Sequence, residues 1–285
     1  MGSITWYTFN KHLAYHFKNR FLKTAYIIQK KIVALRNVLW FLFLQGFLIW
    51  QTTLAQTSLL QKCDQYELDL KEEAAYLCFQ EVLKQSSQHL HALIRSSELA
   101  SRIGRQHKDA AVQMQYYRKA LDFAQRALAV NARSSDANMV MSLASGRLVL
   151  LRSGSEKVGT VRDIKSYAER ALQLNPGNIK ALHILGKWHY EVSILSVWER
   201  AGARMFFGGL PKASLDSSVF FYEKARSLTQ GFLLNSLELA KAYEKSGNNA
   251  QALRLLREVQ QLPPGSSEDK LVKEEAARLL RAWGR

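Results

Sequence analysis

The sequence predicts an all-α protein, a right-handed solenoid of antiparallel helix pairs with insertions, preceded by an N-terminal apolar helix. Three observations point there. Only 4 prolines and 15 glycines occur in 285 residues, so little interrupts long helices. From about residue 66 onward, small and apolar residues recur at spacings of three and four. The same spacings return in successive helices, which marks a repeat. A composition of 47% hydrophobic and 22% charged residues excludes a disordered or collagen-like chain. The chain divides into a leader (1–36), an apolar segment (37–60) and a helical array (66–285).

The leader carries Lys11, Lys18, Arg20, Lys23, Lys30, Lys31 and Arg36 and no acid; the first acid is Asp64. Trp6, Tyr7, Phe9, Tyr15, Phe17, Phe21 and Tyr26 are interspersed. Such a segment is either a helix on an anionic membrane surface or an unstructured leader. Residues 37–61 hold no charge, and 38–50 (VLWFLFLQGFLIW) are apolar except Gln45 and Gly46. A bilayer span needs about 20 such residues. The positive charge lies before the segment, so a signal-anchor would leave the N-terminus cytoplasmic. The alternative is a secretory signal peptide cleaved after Ala55, exporting the array to a bacterial envelope. An organelle membrane, or a buried helix in a cytoplasmic protein, are the remaining readings.

The array is clearest at its end. Ser236, Leu239, Ala240, Tyr243 and Gly247, then Ala252, Leu256, Val259 and Pro264, follow the tetratricopeptide pattern. Ala240 and Ala252 let two helices approach, Leu239, Tyr243 and Leu256 fill the seam, and Gly247-Asn248 turns the chain. Leu182, Leu185, Gly186 and His189 repeat those spacings, with Tyr222, Ala225 and Leu228 on the partner helix. Ala168, Ala171, Leu174 and Asn175 repeat Ala124, Ala127, Val130 and Asn131 at an offset of 44, ten more than the tetratricopeptide period of about 34. Helices over 89–104 and 136–151 fit between, and Ala75, Phe79 and Val82 suit the second helix of a partial unit. Loop insertions are expected near 105–113, 152–161 and 194–213. The Asn175-Pro176-Gly177-Asn178 turn ends one helix and lets Asn178 cap the next. A terminal helix over 271–283, with Leu271, Ala276, Leu279 and Leu280, should cap the stack.

The stretch Leu185, Gly186, Lys187, Trp188, Tyr190, Val192, then Ser193, Leu195, Ser196, Glu199, Arg200, and Leu210, Pro211, Ala213, Ser214 resembles the regulator of microtubule dynamics family. Phe221 or Tyr222, with Lys224-Ala225, continues it. The resemblance covers about residues 70–262. It implies a tetratricopeptide-like domain used for binding rather than catalysis. Animal relatives are linked with microtubules, mitochondria or organelle contact sites, and one with phospholipid. Bacterial relatives also occur, in cells without microtubules.

Groove-facing positions follow from the repeat register: Arg102, Met139, Arg147, His183, Lys187, Tyr190, Glu191, Lys241 and Lys245. Five are basic. They form either a basic track for carboxylate or phosphate groups, or solvated helix faces. In the insertion, Trp198, Ala201 and Met205 recur at helical spacing beside Arg204, Phe206, Phe207 and Leu210. This predicts a short helix and a Gly208-Gly209 turn, which either narrows the groove over an acyl chain or peptide, or buries its aromatics on the convex side.

The expected partners are a protein or peptide, an anionic one being favoured by the net charge of +16, or a phospholipid; nucleic acid is not expected. No cofactor or metal is implied. His12 and His16 lack a third ligand, and His183 and His189, six apart, point to different sides of one helix. His189 occupies the repeat's packing position. Gly154 to Thr160 imitates a phosphate loop but lacks the lysine and the preceding strand. Cys63 and Cys78 are read as free thiols. Three functions remain: a membrane-tethered or exported binding scaffold, a lipid carrier or contact-site tether, and an enzyme accessory for which no nucleophile–base pair is visible.

Overall fold

Short polar side chains start six of the helices, and they sit where the breaks in periodicity place them. The computed structural model describes residues 58–149 and 154–284, with Lys30, Leu35, Arg36, Trp40 and Phe43. Among these residues there is no strand. Helix α1 covers 58–68. It is followed by α2 (Glu72–Gln85), α3 (Leu90–Gln106), α4 (Ala110–Val130), α5 (Ser135–Leu148) and α6 (Gly154–Leu174). Then come α7 (Ile179–Ser193), α8 (Val197–Phe207), α9 (Leu215–Leu228), α10 (Leu233–Lys245), α11 (Asn249–Gln261) and α12 (Asp269–Trp283). Asp109, Ser134, Asn178, Ser196, Ser214 and Asn248 accept hydrogen bonds from first-turn amides. Asn178 caps α7 through Ala181 N at 3.0 Å, as the turn sequence predicts.

The pairs are α3 with α4, α5 with α6, α7 with α9, and α10 with α11. The first members of these pairs, with α12, touch in sequence and form one layer; the second members back onto it. Ala240 and Ala252 are both fully buried in the α10–α11 seam. Gly104 and Gly186 each face a tyrosine of the partner helix, Tyr117 and Tyr222. Polar groups lock the seams as well. Ser97 donates to the Ala120 carbonyl, Ser142 to that of Ile164 and Ser218 to that of Gly186, at 2.6–2.8 Å. Gly247 takes φ of +82°, the left-handed turn that a glycine tolerates.

Several expectations need correction. The described surplus residues near 105–113 and 152–161 are mostly helix, with a short connection at 107–109. They lengthen α4 and α6 to 21 residues each, against 14 in α9 and 13 in α11. Neither surplus contains proline, so continued helix satisfies the backbone better than a loop would. Cys63 and Cys78 are not free thiols: they form a disulfide, with Cα atoms 5.3 Å apart. The α1–α2 turn, with Leu70 at φ 58°, sets the two buried sulfurs opposite each other.

Most of the apolar segment 37–60, and the leader with His12 and His16, lie outside the described residues. The contacts of 59 and 60 correct the segment's end: Leu59 and Leu60 belong to α1 and pack against the domain core. Among the described residues no helix is long and apolar enough to cross a membrane. The placement as a membrane-anchored or envelope-exported protein is therefore withdrawn. The chain divides into two units, 1–58 and 59–285. In the first, the Trp40 and Phe43 rings meet edge to face at 6.0 Å.

Candidate functional site

The inner layer of helices turns a row of charged side chains toward one another. Arg102 on α3 pairs with Glu67 of α1 and stands 3.3 Å from Glu72 of α2. Arg95, about two helical turns before it, pairs with both Glu67 and Glu98. Lys180 of α7 reaches Glu98 from the other side. A cavity of about 350 Å³ opens here, lined by His91, Arg95, Glu98, Met139, Asn178 and Lys180. Burial would raise the Glu98 pKa, but Lys180 and Arg95 override it and hold the carboxyl down at about 2.

A second cluster spans α7, α10 and α12. Lys187 donates to Glu238 at 2.8 Å and pairs with Glu191 at 2.9 Å. Lys241 lies 3.2 Å from Glu238 and 2.9 Å from Glu275. Burial again opposes ionisation of Glu238, and again the lysines prevail, leaving its pKa at about 2. His183 sits between the Tyr222 and Phe232 rings, at 5.5 and 4.9 Å, with Nδ1 3.2 Å from Asn235 Oδ1. Its burial pushes the imidazole pKa down to about 4, and Lys187 and Arg147 act in the same direction. Tyr190 flanks Lys187, whose ammonium lies 5.8 Å from the ring centre.

Arg147 of α5 stands between these clusters. Its closest carboxylate is Glu268, at 3.8 Å, and Glu268 is already paired with Arg105. The Arg147 Nε atom is buried without a hydrogen-bond partner. Burial lowers the Arg147 pKa; Glu268 offsets this only in part, and the charge of Arg105 adds to it.

The structure thus brings Arg102, Arg147, His183, Lys187, Tyr190, Glu191 and Lys241 onto one wall. Lys245 lies exposed at the end of α10 and makes no ion pair among the described residues. The wall is neither a bare basic track nor a set of solvated faces, the two readings the sequence leaves open. Glu67, Glu98, Glu238, Glu268 and Glu275 interleave with the cations. One signal for two of them was visible: Glu98-Leu99-Ala100 recurs as Glu238-Leu239-Ala240. A glutamate inside an otherwise buried helix face needs a cation opposite.

The insertion stands elsewhere. Helix α8, opened by a capping box of Ser196 and Glu199, packs on α6 of the outer layer. Arg162 of α6 donates to the Phe207 and Gly209 carbonyls and holds the turn after α8. The insertion lies on the outer layer and not over the groove, but it does not bury its aromatics there. Trp198, Met205 and Phe206 are 85%, 80% and 71% exposed, and Arg204 is exposed beside them. Phe207 is half-buried near Gly154. Residues 154–160, the phosphate-loop mimic, are the first turns of α6. His189 packs against Phe221 and Trp188. Among the described residues no cluster of three metal-ligating side chains occurs.

The paired-helix architecture is shared with a thermophilic TPR protein of Thermus thermophilus. The TM-score is 0.57 at 17% identity, over 78% of this chain and 99% of that one, a likeness that concerns the fold alone. In sequence, the chain is 29% identical over 166 residues to regulator of microtubule dynamics protein 1 of Bos taurus. That match spans 58% of this chain and 52% of the bovine protein, about half its length. Against the Mus musculus protein of the same name, identity is 26% over 237 residues, 83% of this chain and 77% of the other. The family described as Regulator of microtubule dynamics protein 1-3 matches residues 59–284, from the first helix to the last, and the chain belongs to that family.

Proposed function

We propose that this chain is a non-catalytic helical-repeat scaffold that binds a segment of a protein partner along the inner wall. The observation that supports this most is the row of ion pairs carried by five different helices: α3, α5, α7, α10 and α12. Rigid helices hold these charges in a fixed order, which suits a partner read by charge and hydrogen bonding. Arg102, Arg147, His183, Lys187, Tyr190, Glu191 and Lys241 are the residues assigned to that wall. The names of the relatives connect them with microtubule dynamics, and an assembly involving microtubules is the first partner class to test.

The lipid reading has less support. An acyl chain needs an apolar chamber. The wall is charged, and α8 turns Trp198 and Phe206 outward rather than over it. The experiment is site-directed photo-crosslinking in cells. A photoreactive residue replaces Tyr190 on the wall in one version of the chain and Tyr167 of α6, in the outer layer, in another. Protein adducts from position 190 and none from 167 are expected. Equal adducts, or adducts from 167 alone, would overturn the reading.

A further inference from the structure

Between α11 and α12 runs the segment Leu262-Pro263-Pro264-Gly265-Ser266-Ser267-Glu268. Pro263, Pro264 and Gly265 are exposed, yet Glu268 is only 6% exposed. The segment is folded onto itself by Asp269, whose carboxylate accepts hydrogen bonds from the Gly265 and Ser266 amides at 2.7 and 2.9 Å. It then reaches across the inner wall to the far end of α3. Ser267 accepts a hydrogen bond from Gln106 at 2.7 Å, and Glu268 pairs with Arg105. These contacts join residues more than 160 positions apart in sequence. The segment is a strap over the wall.

The charge beneath the strap does not balance. Two guanidinium groups, Arg105 and Arg147, share one carboxylate, and Arg147 is left with a contact of 3.8 Å and an unpartnered buried Nε. A guanidinium offers its donors as a planar fork matched to a carboxylate, and leaving that fork half-used in a buried setting is costly. Nor does Glu268 serve its own helix: it stands at the start of α12 with no side-chain cap hydrogen bond. Its side chain is spent on the arginines instead.

We propose that Arg105 and Arg147 form a carboxylate-binding site that the strap keeps occupied through Glu268, and that an acidic partner segment binds by displacing it. This rests on the scaffold reading above and adds to it the partner's chemistry and a gate. The strap sits at high local concentration, of millimolar order for a short link, so it excludes weak acidic ligands and yields to one that also engages the rest of the wall. Two stiff prolines and a glycine at its start let it swing as a unit while α11 and α12 stay folded.

The probe is the strap itself, a fluorescent peptide with the sequence of residues 262–270, titrated into the full chain. Glu268→Gln, which empties the site, should bind this peptide about tenfold more tightly than the unaltered chain does. Binding should vanish in the double variant Glu268→Gln with Arg147→Gln, and with a peptide carrying Gln in place of its Glu. Equal binding to the unaltered chain and E268Q, binding indifferent to R147Q, or no binding to a folded E268Q would each overturn the proposal. Should E268Q fail to fold, hydrogen exchange on the unaltered chain decides. Excess peptide should unprotect the Gly265 and Ser266 amides while α10 stays protected; unchanged strap protection overturns the proposal. The crosslink at position 190 is independent of these outcomes. Its loss removes the scaffold reading, whereas loss of peptide binding alone removes only the gate.

Discussion

Gly186 and Tyr222 meet so closely that a Cβ built on the glycine would stand 2.6 Å from the tyrosine ring. The contact joins α7 to α9 across the long insertion and fixes how the third helix pair closes. Alanine is the better helix former by about 1 kcal/mol. Overpacking a tight seam costs about 1–3 kcal/mol, and the ring is held by the surrounding core. Gly186→Ala should therefore destabilise the domain by about 1–2 kcal/mol, read as a lower urea midpoint at unchanged slope. Gly104→Ala, facing Tyr117 at 2.8 Å, should behave alike. A gain of stability in either variant would show that the rings can yield.

Tyr222→Phe should act in the opposite direction. The hydroxyl is buried and has no hydrogen-bond partner, and burial raises its pKa well above the usual phenol range. Removing it keeps the ring against Gly186 and relieves an unmet donor. Stability should be unchanged or higher by about 1 kcal/mol. Thermal unfolding checks this, and a clear loss would reveal a hidden partner for the hydroxyl.

Reduction of the Cys63–Cys78 disulfide should loosen α1 from α2. The bond closes a loop of 15 residues, worth about 3 kcal/mol in the chain-entropy account. Helix α1 also carries Asp64 and Glu67, which pair with His91, Arg95 and Arg102. Cys63→Ser with Cys78→Ser should lower stability by a similar amount and unprotect residues 59–68 first in hydrogen exchange. A variant as stable as the parent would remove the staple from the account.

Acid should weaken the domain in two stages. The His183 pKa falls from 6.5 to about 4 on folding, so the unfolded chain takes up a proton first. That contribution is complete above pH 6.5 and is lost as pH falls toward 4. Glu98 and Glu238 then follow, their pKa values falling from 4.5 to about 2, with stability lost across that window. Urea melts from pH 8 to 3 should show both limbs, and His183→Gln should shrink the upper one, the remainder coming from His89 and His189, whose pKa values burial also lowers. A profile flat from pH 7 to 5 in the unaltered chain would contradict the burial of His183.

The helix pairs were legible because their contacts are local in type. Ala240, Ala252, Gly186 and Tyr222 stand at spacings that any such seam requires, and Asn178 and Gly247 mark its turns. The inner wall was legible by face and not by partner. Lys187 meets Glu238 from 51 positions away, and Lys180 meets Glu98 from 82. Helical periodicity says which side Lys187 occupies, but which carboxylate it meets depends on how units stack. Surplus length was misread for a related reason: a repeat offset of 44 counts extra residues without saying whether they extend a helix or leave it. The insertion's aromatics follow general burial statistics poorly, since α8 has a single neighbouring helix to cover it.

The serine hydroxyls of the seams have a mechanical consequence. Ser97, Ser142 and Ser218 each pin one rod to a carbonyl of its companion, so neither rod can slip along the other without breaking a shielded bond. Successive hairpins are tied in the same way: Trp188 of α7 donates to the Val161 carbonyl of α6 at 2.7 Å, and Asn235 of α10 to that of Tyr222 in α9 at 2.9 Å. Tension applied to the two ends would thus load shielded bonds inside the hairpins and between them alike, and the rods would resist sliding as a set.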